Sequence, residues 1–252
     1  MLDKLRYKLH RWQRTRPKKK KSWFSRSKKT LRWVIRTSLI LLALDIFYLM
    51  HIWPDWQAFQ QGNVKKSNFI KGYQQQRNIN KALPKLSWKP VKLNRIPDYL
   101  RRAVIIGEDA RFYSHNGFDI NAFRDAMNYN IENKRFKYGG STLSQQTVKN
   151  MFFSGSRSPL RKWHELIFTI GMEFNVSKDR ILETYLNIAE FGKGIYGVDA
   201  AARSYWNIPV SALSTRQTIE LAATLPSPVK HNPQTRSKTF LRRVQKISVY
   251  MY

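Results

Sequence analysis

The longest apolar run in the chain lies near its N-terminus, at residues 37–53 (TSLILLALDIFYLMHIW), and Asp45 is its only strongly charged member. With the three apolar residues WVI just before it, the run approaches the roughly 20 residues that cross the hydrocarbon core of a bilayer. Basic residues crowd its N-terminal side, and Trp53 and Trp56 lie at its other end. This asymmetry predicts one transmembrane helix, with residues 1–36 in the cytoplasm and the remainder of the chain outside.

Two other interpretations compete with this anchor. A cleavable signal peptide would have a shorter basic region and a small-residue cleavage pattern, which residues 54–59 lack. A buried globular helix is favoured by Asp45, because a carboxylate at mid-membrane costs about 2.5–3.5 kcal/mol on insertion scales. The neighbouring leucines and isoleucines offset that cost, so we predict an uncleaved anchor over residues 37–53.

After the anchor the chain is first polar and then regularly amphipathic. Residues 54–93 contain Gln-rich and Lys-rich pieces (QQGNVKKSN and YQQQRNINK), which predict a juxtamembrane connector rather than core. Beyond them, apolar residues recur with helical spacing, whereas alternating strand patterns are nearly absent. We therefore predict one mainly α-helical domain over residues 94–252, facing outward.

Local signals place several helices within this domain. Ser177 precedes a continuous apolar stripe and is a typical helix N-cap. Ser214, followed three residues later by Gln217, predicts a capping box at the start of a helix that Pro226 ends. Another apolar stripe has i, i+3, i+7 spacing and consists of Ile120, Phe123 and Met127.

Composition narrows the class of partner without choosing one. Of 252 residues, 42% are apolar, which is enough to bury a core and argues against wholesale disorder. The chain carries 46 Lys and Arg against 16 Asp and Glu, a net charge of +30. Such a balance is typical of proteins that bind nucleic acid, anionic lipid or a phosphorylated substrate. The absence of cysteine is compatible with any compartment.

Three segments combine ionisable groups with turn residues. In the first, Glu108 and Asp109 follow an apolar run, and partial desolvation there would raise the pKa of a carboxyl group and suit it to act as a base. In the second, residues 139–150 (GGSTLSQQTVKN) resemble a loop that leads into a helix N-terminus and can hold an anion. In the third, Arg161 and Glu165 share one helix face.

Each segment also has an ordinary interpretation. The first would be a solvated helix terminus, the second a capped helix, and the third a surface ion pair worth a few tenths of a kcal/mol. His115 lies inside the first segment, but no other His, Cys or carboxylate has HExxH-like spacing to it, which argues against zinc. Taken singly, each of the three segments favours its ordinary interpretation.

Taken together and in this order, the three segments resemble the peptidoglycan glycosyltransferases, glycosyltransferase family 51. The matching patterns are E-D-x-x-F-x-x-H-x-G from Glu108, G-G-S-T-x-x-Q-Q with K-N over residues 139–150, and R-K-x-x-E from Arg161. Residues 178–187 and 225–228 add two further family-like stretches. Only about 25 residues follow Pro228, so the resemblance is to the monofunctional form without a transpeptidase domain.

The resemblance implies a lysozyme-like helical fold and polymerisation of lipid II into β-1,4-linked glycan, with inversion and release of undecaprenyl diphosphate. It implies Glu108 as the general base. It implies Glu165 as a second catalytic carboxylate that holds either a divalent cation, Mg²⁺ or Mn²⁺, or the cationic groups around the diphosphate. It implies that Lys149, Arg161 and Lys162 stabilise the leaving diphosphate. The remaining substrate-binding residues that it implies are Asp109, Phe112, His115, Gly140, Ser141, Thr142, Gln145, Gln146 and Asn150.

The implied setting is the bacterial inner membrane, with a single-pass anchor and a periplasmic catalytic domain. The implied partners are lipid II, the growing glycan strand, membrane lipids and other cell wall synthesis proteins, with no nucleic acid; moenomycin would inhibit. One rival is a lysozyme-like hydrolase, which must keep one carboxyl group protonated and has no use for clustered cations. Another is a membrane-tethered adaptor whose basic arm binds nucleic acid or anionic lipid.

Overall fold

The computed structural model describes residues 23–134, 139–155 and 158–251. The chain divides into two compact units, residues 1–53 and residues 54–252. Most of the basic N-terminal segment therefore falls outside the described residues. Eleven α-helices and three short strands are found in the described ranges, which confirms the predicted mainly α-helical class.

The first unit contains helix α1, Trp23–His51. Its portion from Lys29 to His51 is long and apolar enough to cross a membrane. Large apolar side chains along it are exposed, among them Leu39, Leu41 and Phe47. A helix with such a surface suits a lipid environment, where its backbone groups are satisfied internally.

The second unit is a bundle of helices with a minimal sheet. Its helices are α2 (Trp56–Gln61), α3 (Asn68–Ile79), α4 (Asp98–Glu108), α5 (Ile120–Glu132), α6 (Leu143–Phe152), α7 (Pro159–Asn175), α8 (Lys178–Ile188), α9 (Val198–Trp206), α10 (Thr215–Thr224) and α11 (Lys238–Met251). Its strands are β1 (Ser87–Trp88), β2 (Glu190–Gly192) and β3 (Ile195–Tyr196). Strand β3 lies between the others, parallel to β1 and antiparallel to β2.

Side-chain caps start the helices where the sequence predicts them. The Ser177 side chain accepts a hydrogen bond from the Arg180 N–H at the start of α8. Ser214 and Gln217 form the predicted capping box of α10, which ends at Thr224, just before Pro226. These caps satisfy N–H groups that have no partner within the helix.

The core is built on two sets of packed helices: α4, α10 and α11 contact one another, and α6 contacts both α7 and α8. Large, fully buried side chains fill this core. They come from α4, the 3₁₀ turn after α4, α7, α8 and α11, and include Leu100, Phe112, Phe168, Leu182 and Phe240. The C-terminal helix α11 packs against both α4 and α10. Residues distant in sequence therefore meet at the C-terminal end of α4.

Two sequence-based expectations differ from the structure. The segment 54–93, expected to lie outside the core, contributes buried Trp56, Ile70 and Tyr73, because a mostly polar segment can still cover apolar surface with a few large side chains. The stripe formed by Ile120, Phe123 and Met127 does lie on a helix, α5, but it is exposed by 69%, 56% and 36%. The domain boundaries predicted from composition stay predictions.

Candidate active site

Glu108 is the last residue of α4, and its carboxyl group is almost enclosed. Its side chain is 11% exposed. Gln146 Nε2 donates a hydrogen bond to Glu108 Oε2 at 3.1 Å, and Arg243 Nη2 donates one to Oε1 at 3.1 Å. Burial raises the pKa of Glu108, while the hydrogen bonds from Gln146 and Arg243 act in the opposite direction. This is the environment that suits a carboxylate to accept a proton.

Asp109 ties the loop after α4 to the start of α6. One of its oxygens accepts a hydrogen bond from the Leu143 N–H at 2.9 Å, and His115 Nε2 lies 2.9 Å from the other. Phe112 is fully buried behind this loop, and Lys178 Nζ lies 4.5 Å from the centre of its ring. Asp109, Phe112 and His115 are thus placed to support the loop from the protein side.

Gly117 allows the same loop to pass close to α7. Its φ is +88°, and a Cβ atom at this position would lie 2.8 Å from Thr169 Cγ2. The Gly117 carbonyl accepts a hydrogen bond from Thr142 Oγ1 at 2.7 Å. A side chain at residue 117 would force the backbone out of this conformation.

The second motif forms the N-terminus of α6. Thr142 and Gln145 make a reciprocal capping box, so the ordinary capped-helix interpretation holds for these two side chains. Gly140 packs against α5, because a Cβ atom there would lie 3.0 Å from Phe123 Cα. Ser141 is exposed beside it.

Further along α6, one helix face is directed at both carboxylates. Gln146 contacts Glu108 as described, and Lys149 follows three residues later. Burial lowers the pKa of Lys149, and the positive charges of Arg161 and Lys162 lower it further. The negative charges of Glu165 and Glu108 act in the opposite direction. The ammonium group is therefore close enough to both carboxylates to feel their charges. Asn150 is the next residue on the helix and is half-buried.

Glu165 lies on α7 and is buried with two cations beside it. Its side chain is 3% exposed, Arg161 Nη1 lies 3.0 Å from Oε1, and Lys162 Nζ lies 3.3 Å from Oε2. The Arg161 contact lacks hydrogen-bond alignment, so Oε1 has no hydrogen-bond partner. An ion pair this deeply buried differs from the surface pair that spacing alone would suggest.

A cleft of about 570 Å³ opens beside Glu108. Its floor is formed by the end of α4 and the loop after it, one wall by α5, and the other by the segment that leads into α6. Among the predicted residues, those that line it are Glu108, Asp109, Gly140, Ser141 and Thr142. A cleft of this size accommodates a ligand with several polar groups.

Comparisons with known proteins agree with this geometry. The family model described as Transglycosylase matches residues 75–252. The chain belongs to the transglycosylase family. A protein from Laribacter hongkongensis is 36% identical over 217 residues, which is 85% of this chain and 94% of that protein. One from Bordetella avium is 39% identical over 247 residues, covering 88% and 98% respectively. Both carry the name biosynthetic peptidoglycan transglycosylase.

For a divalent cation, the transglycosylase site offers two places, and neither fits well. Each oxygen of Glu165 already has a cationic nitrogen beside it, Arg161 Nη1 at 3.0 Å or Lys162 Nζ at 3.3 Å. Within the described residues, one set of potential ligand atoms lies within 4.8 Å of one another, those of Asp109, His115 and Asp119. Arg111, however, holds both oxygens of Asp119 at 2.7 Å.

Two residues in contact with the site escaped the sequence analysis. Arg243 lies on α11, outside every motif that predicted the site, and contacts Glu108 directly. Tyr185 is buried on α8, and its hydroxyl donates a hydrogen bond to Gln146 Oε1 at 3.3 Å. No local pattern marks Arg243, which is one of several basic residues on an amphipathic helix. Tyr185 lies in the family-like stretch of residues 178–187, but that pattern assigned it no role.

Proposed function

We propose that this chain is a peptidoglycan glycosyltransferase that polymerises lipid II into β-1,4-linked glycan and releases undecaprenyl diphosphate. The observation that carries the proposal is the placement of α6: Gln146 contacts Glu108, and Lys149, one turn further on, lies within reach of the charges of both Glu108 and Glu165. A base and a cationic cluster thereby belong to one site. This combination suits a sugar hydroxyl that attacks a carbon bearing a diphosphate leaving group.

Glu108 is the proposed general base. It takes the proton from the 4-hydroxyl of the acceptor sugar as that oxygen forms a bond to the anomeric carbon of the donor. Desolvation makes the carboxylate a better proton acceptor than an exposed one, and its two hydrogen bonds fix its orientation. Attack from the face opposite the diphosphate inverts the anomeric configuration.

The leaving group departs with the electron pair of the broken bond between the anomeric carbon and the phosphate oxygen. Lys149, Arg161 and Lys162 are proposed to stabilise its charge, because a diphosphate needs electrostatic compensation more than it needs a proton. Glu165 holds Arg161 and Lys162 in place on α7. Gly140, Ser141, Thr142 and Asn150 remain proposed contacts to sugar or phosphate oxygens.

The family resemblance implies a divalent cation, Mg²⁺ or Mn²⁺, on Glu165. Because two cationic side chains already neutralise that carboxylate, we assign no step to a metal. The implied metal requirement is tested by measuring polymer formation in the presence of a chelator, and again after Mg²⁺ or Mn²⁺ is added back. Retained polymerisation in chelator would agree with the side-chain cations acting alone.

The proposed setting is the inner membrane, with α1 as a single-pass anchor and the catalytic unit on the periplasmic side. A lipid-linked donor suits an enzyme tethered to the same bilayer. Proposed partners are lipid II, the growing strand, membrane lipids and other cell wall synthesis proteins. The basic residues before α1 would favour the cytoplasmic leaflet, where anionic lipids attract Lys and Arg.

The decisive experiment incubates the full chain in detergent micelles with labelled lipid II. We expect polymer from the wild type, inhibited by moenomycin, and none from Glu108→Gln. Asp98→Asn is the matched control, because Asp98 is exposed at the opposite end of the same helix. Polymerisation by Glu108→Gln would refute the assignment, and shortening of preformed glycan by the wild type would identify a hydrolase instead.

A further inference from the structure

The C-terminal helix α11 brings a guanidinium group to the proposed base. Arg243 Nη2 lies 3.1 Å from Glu108 Oε1, although the two residues are 135 positions apart. Among the described ion pairs, this is the one that contains Glu108. The carboxylate of Glu108 therefore receives its direct cationic partner from the far end of the chain.

Arg243 and Gln146 divide the two carboxylate oxygens between them. Arg243 donates to Oε1 and Gln146 donates to Oε2, both at 3.1 Å. Tyr185 donates to Gln146 Oε1, which orients that amide so that its NH₂ group faces Glu108. A carboxylate oxygen has two lone pairs, so each oxygen keeps one for an incoming hydroxyl. The two donors thus fix the carboxylate without occupying it fully.

Close packing at Gly107 sets the position of Arg243. A Cβ atom at Gly107 would lie 3.1 Å from Ile247 Cδ1 and 4.0 Å from Arg243 Nη2. The absence of a side chain there allows α11 to approach the last turn of α4. The geometry of the Arg243 to Glu108 contact is therefore a product of helix packing.

Charged and titratable groups surround Glu108 on several elements. Asp109 follows it in the chain, Lys149 faces it from α6, Tyr185 from α8 and Arg243 from α11. The negative charge of Asp109 and the burial of Glu108 both disfavour the ionised form of Glu108. A buried carboxylate stays ionised only when it is paired and hydrogen-bonded.

We infer that Arg243 is a positioning residue for the glycosyl transfer reaction: it orients the carboxylate of Glu108 and keeps it ionised in the enclosed end of the cleft. This inference rests on the proposed function. Arg243 donates directly to Glu108, so it acts on the reaction through that carboxylate.

The test compares Arg243→Ala, Arg243→Lys and Arg243→Gln in the full chain with labelled lipid II. For Arg243→Ala we expect kcat to fall by about 10- to 100-fold, with KM within about two-fold of wild type. Added guanidinium should restore part of that kcat, and Arg243→Lys should retain more of it than Arg243→Gln. Arg242→Ala is the matched control, because Arg242 is the adjacent exposed arginine.

Assay of Glu108→Gln beside the Arg243 variants separates this inference from the proposed function. Wild-type kcat in Arg243→Ala, beside an inactive Glu108→Gln, would overturn the inference alone. Loss of activity in all three Arg243 variants with a matching loss of thermal stability, and no response to guanidinium, would also overturn it. Activity in Glu108→Gln would instead refute the proposed function.

Discussion

Glu190 is a half-buried carboxyl group that forms no ion pair within the part of the chain that the structure describes. This residue of β2 lies near Tyr73, Tyr196 and Tyr205, and its charge contributes, after burial, to raising the pKa of each of these phenols. Burial raises the pKa of Glu190 from 4.5 to about 7. The folded chain therefore binds this proton more tightly than the unfolded chain does.

The sign of the effect on stability follows directly. Below pH 4.5 the carboxyl group is protonated in both states and causes no penalty. Between pH 4.5 and about pH 7 folding requires a proton that the unfolded chain has lost, and above that range the folded state carries the full cost of a buried charge. Replacing Glu190 with the neutral Gln should remove this cost.

The size of the effect can be bounded. The difference between pKa 4.5 and about 7 corresponds to about 3 kcal/mol. Because the side chain is only partly buried, solvent screening reduces the expected gain to about 1–2 kcal/mol at pH 8. About a quarter of that gain should remain at pH 5.

Urea unfolding of the full chain in detergent micelles measures this gain at pH 5 and pH 8. Glu190→Gln should raise the urea midpoint more at pH 8 than at pH 5, with an unchanged slope. Comparing the two pH values cancels any effect of the substitution that does not depend on pH. Glu132→Gln is the control, since Glu132 is exposed at the end of α5. A difference between Glu190→Gln and wild type that is equal at both pH values would refute the reasoning.

Two further predictions concern the segment before α6. Gly140→Ala should reduce polymerisation about ten-fold and lower the melting temperature, because its Cβ atom would meet the Phe123 backbone at 3.0 Å. Gly139→Ala should change neither, since no atom lies within 4 Å of a Cβ atom at that position. Thr142→Val should lower the free energy of unfolding by about 1–2 kcal/mol in urea titrations, because it removes both the helix cap and the hydrogen bond to Gly117. Unchanged stability in Thr142→Val, or equal effects of the two alanines, would contradict these contacts.

The sequence by itself determined the features that depend on near neighbours. Caps at Ser177 and Ser214 start helices as predicted, because a capping side chain reaches only two or three residues along the chain. The apolar run that forms α1 depends on length and composition alone. Ordered motifs were likewise sufficient to indicate the family, since they record residue types in sequence order.

Tertiary structure decided which faces are covered and which distant groups meet. Periodicity placed Phe123 on a helix but could not show that its stripe is exposed, since burial depends on whether another element packs there. The motifs predicted Glu165 but not its burial beside Arg161 and Lys162. The contact from Arg243 to Glu108 had no local signal, because it exists only where α11 packs against α4, and the packing of helices far apart in sequence is set by the whole core.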